Sequence, residues 1–160
     1  MSKEIFQIKT YSLKNLKRVA YLIAEEIKIP ASIILEGDLA SGKTTLIREL
    51  AYFFRIDKMK VDSPTFTIVN NYSGRIKRSR LNFNHFDLYR IEDTKDLITL
   101  PFDYFFKGKY INFFEWGKKF LPTIFEYSER VYIINITADN YLKNEEFRRI
   151  NLSVVENSDI

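Results

Sequence analysis

Residues 32–45 read SIILEGDLASGKTT, and this stretch decides the fold. The first five residues, SIILE, are a short, mostly apolar run of the kind buried in a parallel sheet. Gly37, Asp38, Leu39, Ala40, Ser41, Gly42, Lys43, Thr44 and Thr45 follow, and they fit G-x-x-x-x-G-K-[ST] through Gly37, Gly42, Lys43 and Thr44. Helical spacing takes over over residues 43–55, where Leu46, Ile47, Leu50 and Phe54 share one face. Strand, glycine loop and helix in that order build an anion cradle. The glycines let the backbone wrap a phosphate while successive N–H groups point inward as a nest. The helix adds its positive N-terminal end. Lys43 would neutralise the β and γ phosphates, and the Thr44 hydroxyl would ligate Mg²⁺. No N-K-x-D occurs in the chain, so ATP rather than GTP is the expected nucleotide.

Outward from the loop, strands alternate with helices. Residues 5–10 alternate as a short strand. Leu13, Leu16, Val19, Ala20, Ile23 and Ile27 then share a helical face, with Ser12 as the expected N-cap and Pro30 as the stop. Residues 66–72 and 81–87 read as strands joined around Ser73-Gly74, an inserted β-hairpin. Asp93 caps a short helix through Leu100. Residues 110–115 (YINFFE) and 131–137 (VYIINIT) are further apolar strands, and 147–155 alternates as an edge strand. The pattern predicts a single α/β domain over residues 1–160, a three-layer P-loop NTPase-like sandwich with a mixed, largely parallel central sheet.

A P-loop nucleotidase needs a carboxylate at the end of a neighbouring strand to hold Mg²⁺ or its water. Asp87 ends LNFNHFD and Glu115 ends INFFE, and either is a candidate metal ligand and catalytic acid beside Lys43 and Thr44. The ordinary fate of such a residue is a solvated strand end. Two of them at the C-terminal ends of strands beside a P-loop is what a ligand crevice requires. Arg90, three residues past Asp87, is a local source of further charge compensation or else a surface ion pair. His85 shares a sheet face with Asp87, where it either orients a phosphate or Asp87, or packs as a core histidine. Ser63-Pro64-Thr65 lies where many P-loop nucleotidases carry a threonine that senses the γ phosphate, and equally where a turn would fall.

Composition excludes several classes. Without cysteine there is no disulfide scaffold, thiolate zinc site or cysteine nucleophile, and one histidine cannot supply a two-imidazole metal site. No apolar run reaches the ~18 residues of a membrane span, and the opening MSKEIFQIKT has no signal-peptide core, so a cytoplasmic protein without membrane contact is expected. The net charge of +4 hints weakly at polyanions. It is concentrated in RIKRSR, where Arg75, Lys77, Arg78 and Arg80 fall within six residues. These residues are either tRNA phosphate contacts or a solvated hairpin end. The 14 Phe and 10 Tyr are a bulky core rather than a base-stacking surface.

GDLASGKTT, SPTFTIVNNY, HFDLYRIED and FFEW occur in this order, and together they resemble the TsaE (YjeE) family over about residues 13–116. The resemblance implies a bacterial ATPase required for threonylcarbamoyl-adenosine at position 37 of tRNAs that read codons beginning with adenine. It would act with a TsaB–TsaD pair in which TsaD carries the transferase chemistry. It implies further that Lys43 and Thr44 contact phosphate and Mg²⁺, and that Asp87 and Glu115 are the acidic catalytic or metal-linked positions. Trp116 would lie beside the nucleotide, and Thr65 would belong to a switch-like loop. Three positions depart from the family pattern. Ala40 replaces a glycine, Leu100-Pro101 stands where a Leu-Gly pair is common, and Leu16 aligns with a frequent threonine. Two other classes compete: a small-molecule P-loop kinase, which would need an arginine-bearing lid, and a nucleotide-gated RNA-binding module.

Overall fold

The computed structural model describes residues 3–138 and 147–156. Its centre is one seven-stranded sheet. In chain order the strands are β1 (Lys3–Ser12), β2 (Ala31–Glu36), β3 (Val69–Ile76), β4 (Ser79–Asp87), β5 (Tyr110–Glu115), β6 (Arg130–Ala138) and β7 (Phe147–Glu156). In space the order is β1-β7-β6-β2-β5-β4-β3. The four middle strands β6, β2, β5 and β4 run parallel, and the pairs at both sides are antiparallel. β5 is buried at every residue, as expected for a strand covered on both faces.

Helices α1 (Leu16–Glu26) and α2 (Lys43–Phe53) cover one face. α1 buries Leu16, Val19, Ala20, Ile23 and Ala24, the i, i+3, i+4, i+7, i+8 stripe of an amphipathic helix. That stripe meets Leu46, Ile47 and Leu50 of α2 and Ile33, Leu35, Phe83 and Phe113 of the sheet. Three short helices, α3 (Thr94–Leu97), α4 (Phe102–Phe105) and α5 (Leu121–Phe125), cover the other face over Ile34, Phe86 and Phe114. The result is a three-layer α/β sandwich of the P-loop type.

A polar row crosses the second face. Asn71, Asn84, Asn112 and Ser32 are register partners on successive strands. Asn71 Nδ2 donates to Asn84 Oδ1, Asn84 Nδ2 donates to Asn112 Oδ1 at 2.6 Å, and Ser32 pairs with Ser128 at 2.6 Å. Asn84, Asn112 and Ser32 are buried, and buried polar groups that bond only in one alignment resist strand slippage. The register that pairs Asn84 with Asn112 also sets Asp87 beside Glu115.

Several local expectations are corrected. The hairpin turns at Lys77-Arg78, not at Ser73-Gly74, and β3 begins at Val69. Gly74 lies in the strand because its backbone passes the end of α2, where an added Cβ would come within 2.9 Å of the Phe54 carbonyl oxygen. β7 is not an edge: β1 pairs along its outer side. Ser12 closes β1 and does not cap α1, which starts after a 3₁₀ turn at Asn15 without a side-chain cap. α1 also stops at Glu26, ahead of Pro30, as Ile27 turns extended. Asp93 does cap α3, accepting from the Lys95 amide at 3.0 Å, but α3 ends at Leu97 and α4 was not anticipated. The side chain of Leu13 lies outside the described set.

Candidate nucleotide site

The loop between β2 and α2 is shaped by its backbone angles. Gly37 and Gly42 have φ of 149° and 105°. A Cβ on Gly37 would fall 2.3 Å from the Ile136 carbonyl oxygen, so no other residue fits there. Ala40 also sits at positive φ, 61°, a region costing an L-residue about 1–2 kcal/mol. The Lys43 ammonium donates to the carbonyls of Gly37 at 2.7 Å and Asp38 at 2.9 Å, and stands 4.1 Å from the Trp116 ring centroid. Burial pushes the Lys43 amine below the ordinary lysine range, against the upward pull of Glu115, Glu36, Asp87 and Asp38.

The parallel strands end together beside this loop. Thr44, in the first turn of α2, donates its hydroxyl to Glu115 Oε1 at 2.7 Å. The same oxygen lies 2.9 Å from Nε2 of the fully buried His85. Asp87 faces the other segment of the site. Its Oδ2 accepts from Ser63 at 3.1 Å and Thr65 at 3.0 Å, and its Oδ1 from the Tyr89 amide at 3.2 Å. Thr44, Asp87 and Glu115 offer hard oxygen donors, the type that magnesium takes. Among the described residues no group of three or more His, Cys, Asp or Glu is placed to hold a metal alone. Phosphate and water would therefore complete the octahedral shell.

A cavity of about 520 Å³ is enclosed by the P-loop from Leu39 to Thr45, with Ser63, Thr65, Asp87, Tyr89, Arg90, Glu115 and Trp116. The candidates from four separate sequence segments thus share one cavity. Gly37 and Asp38 do not line it and instead supply the carbonyls that hold Lys43. Arg90 forms no ion pair among the described residues and lies 4.8 Å over the Phe66 ring. His85 touches Glu115, not Asp87. Ser63, which the sequence marks only as the start of the turn carrying Thr65, also lines the cavity and bonds Asp87, and so does Tyr89 of the HFDLYRIED segment, whose ring is 5.2 Å from that of Trp116. Arg148 of β7, whose Nε donates to the Ser41 carbonyl at 2.9 Å, carried no sequence signal because it is remote from every motif. Trp116 and Ile68 hold φ of 62° and 67°, conformations that bulky side chains keep only under constraint, and such outliers gather at functional sites.

The parallel strands, the glycine loop opening α2 and the carboxylates at the strand ends define a protein of the P-loop α/β class. Residues 10–149 match the family described as Threonylcarbamoyl adenosine biosynthesis protein TsaE. The chain belongs to the TsaE family. It is 35% identical to the tRNA threonylcarbamoyladenosine biosynthesis protein TsaE of Bacillus subtilis over 109 residues, 68% of this chain and 65% of that one. Identity to the protein of the same description from Rickettsia conorii is 32% over 107 residues, 67% of this chain but 58% of the relative. The chain thus spans less than two thirds of the length of these relatives. The crystal structure of Bacillus subtilis YdiB superposes with a TM-score of 0.68 at 25% identity, covering 99% of this chain and 90% of that one.

Proposed function

We propose that this chain, acting as a single domain, is a Mg²⁺-dependent ATPase of tRNA threonylcarbamoyladenosine modification, slow alone and stimulated by a TsaB–TsaD-type complex. The observation that carries the reading is the 2.7 Å bond between Thr44 of the P-loop helix and Glu115 at the end of the neighbouring strand. A phosphate-binding helix and a strand-end carboxylate are tied at the point where a nucleotide's terminal phosphates and their metal would lie.

In this reading the amides of residues 37–45 and the α2 N-terminus bind the phosphates. Lys43, now bonded to two loop carbonyls, would turn to phosphate oxygens, and Thr44, now bonded to Glu115, would help to hold the metal. Mg²⁺, when bound, would supply charge neutralisation for the terminal phosphates. Glu115, held on one oxygen by His85, keeps its second oxygen for the metal shell or the attacking water. Asp87 is the second acidic position, and Thr65 reports on the γ phosphate through it. Trp116 borders the nucleotide and Arg90 stands at the cavity wall. Lysine and magnesium alone give slow hydrolysis, and further positive charge from a partner is the usual accelerator. A kinase would need an arginine-bearing lid over the phosphates, whereas the arginine-rich hairpin turn lies at the start of β4 and the cavity at its end.

The test is ATP hydrolysis with and without TsaB–TsaD, on wild type and on Glu115→Ala and Asp87→Ala. A large rise on adding the partners, lost in Glu115→Ala while nucleotide binding persists, is expected. Equal turnover with and without partners would reject the reading.

A further inference from the structure

The β3–β4 hairpin ends beside a cleft of about 460 Å³ lined by Arg55, Ser73, Gly74, Arg75, Arg78 and Arg80. We propose that this cleft binds the phosphodiester backbone of RNA. The choice of RNA among polyanions rests on the tRNA-modification reading given above.

All four arginines are exposed, and among the described residues none is paired with a carboxylate. Arg80 Nη2 donates only to the Ser73 hydroxyl, at 2.9 Å. Residues 73–80 include no acid. Arg75 and Arg80 are direct cross-strand partners, a like-charge pairing that weakens a hairpin. One cation would be welcome at the C-terminal end of α2, but that end does not account for four.

The backbone carries a second, independent sign. Arg55 holds φ of 62° and Lys77 φ of 53°. Arg55 closes α2 in a Schellman arrangement: its amide donates to Tyr52 O at 3.0 Å, and the Ile56 amide donates to Ala51 O at 3.0 Å. Glycine is the favoured residue there, and Asn or Gly in a two-residue hairpin turn such as Lys77-Arg78. Basic side chains thus stand where backbone geometry favours glycine, and where charge pairing favours an acid. Local rules broken together at one place point to a ligand that compensates.

The guanidinium fork fits phosphate oxygens in pairs. Residues 73–80 expose no large apolar side chain, so the patch lacks the anchor of a protein interface. β4 runs from Ser79 beside the cleft to Asp87 in the candidate nucleotide cavity, about 26 Å of strand, so RNA and ATP would sit at opposite ends of the same strand.

The experiment is fluorescence anisotropy of a labelled tRNA transcript with the full chain across a KCl series. The triple variant Arg75→Ser, Arg78→Ser, Arg80→Ser is expected to lower the slope of log K against log salt by about 2, at roughly 0.7 per lost phosphate contact. Arg55→Gly and Lys77→Gly are each expected to weaken tRNA binding while raising Tm by about 2–4 °C, so a loss of fold cannot explain the loss of binding. Equal binding by wild type and triple variant would overturn the proposal, as would preference for polyglutamate over tRNA, which would assign an acidic protein instead. Partner-stimulated ATP hydrolysis is measured on the same samples and should be unchanged in the triple variant. Its absence from wild type would count against the ATPase reading alone, since the anisotropy decides RNA binding separately.

Discussion

Ala40 shows what one side chain does to a phosphate loop. Its φ of 61° suits glycine, and the Cβ raises the energy of the folded loop by about 1–2 kcal/mol. Glycine would lose part of that gain to its freer unfolded chain. Ala40→Gly is therefore expected to stabilise the protein by about 1 kcal/mol, seen as a higher urea midpoint at unchanged slope. An unchanged or lower midpoint would show that the loop relaxes around alanine. Lys43 makes a different prediction. Burial lowers its folded pKa below the ordinary 10.5, so over the interval between the folded value and 10.5 the unfolded chain binds more protons. Stability relative to Lys43→Met should rise with pH through that interval and be flat below it. Paired unfolding curves from pH 7 to 10 would measure the difference, and a falling difference would mean that the four surrounding carboxylates outweigh burial.

At the scale of elements, Gly74 separates what the sequence could reveal from what it could not. Ser-Gly between two apolar runs reads as a turn by local chemistry. Its actual role depends on Phe54, twenty positions earlier, whose carbonyl oxygen also accepts the Arg75 amide at 2.8 Å. Gly74→Ala would bring a Cβ within 2.9 Å of that oxygen and 3.0 Å of Ile56 Cδ1, and is expected to cost about 1–3 kcal/mol. Urea denaturation would measure it, and a loss below about 0.5 kcal/mol would mean that β3 can shift off α2. The same distinction runs through the fold. β2, α2, β5 and β6 were legible because their apolar periods reflect burial that follows from position along the chain. The outer place of β1 was not, since two alternating strands give no sign of which covers the other. At the candidate site, Lys43, Thr44, Asp87 and Glu115 were legible from spacing. That His85 would meet Glu115 rather than Asp87 depended on the parallel register of β4 and β5. Arg148 depended on β7 folding back past the P-loop.

At the scale of the whole molecule, the candidate nucleotide cavity is built on the most deeply buried elements of the fold. The P-loop leaves β2 in the middle of the sheet and enters α2, whose Leu46, Ile47 and Leu50 are wholly buried. The carboxylates end two of the parallel strands beside it. Ligand bound there stabilises the entire native state, because opening the site means breaking the central sheet. At 100 times its Kd, a ligand of the native state alone adds about 2.7 kcal/mol. For a 160-residue chain each kcal/mol moves Tm by about 2–4 °C, so ATP with Mg²⁺ should raise Tm by about 5–10 °C. If the proposed roles hold, the shift should vanish in Lys43→Ala, which would lose the phosphate contact, and persist in Glu115→Ala, which would keep binding and lose only hydrolysis. Differential scanning fluorimetry reads all three proteins in one experiment. An equal shift in Lys43→Ala would place the nucleotide away from the P-loop. No shift in wild type, with binding confirmed by titration, would mean that the cavity opens independently of the sheet.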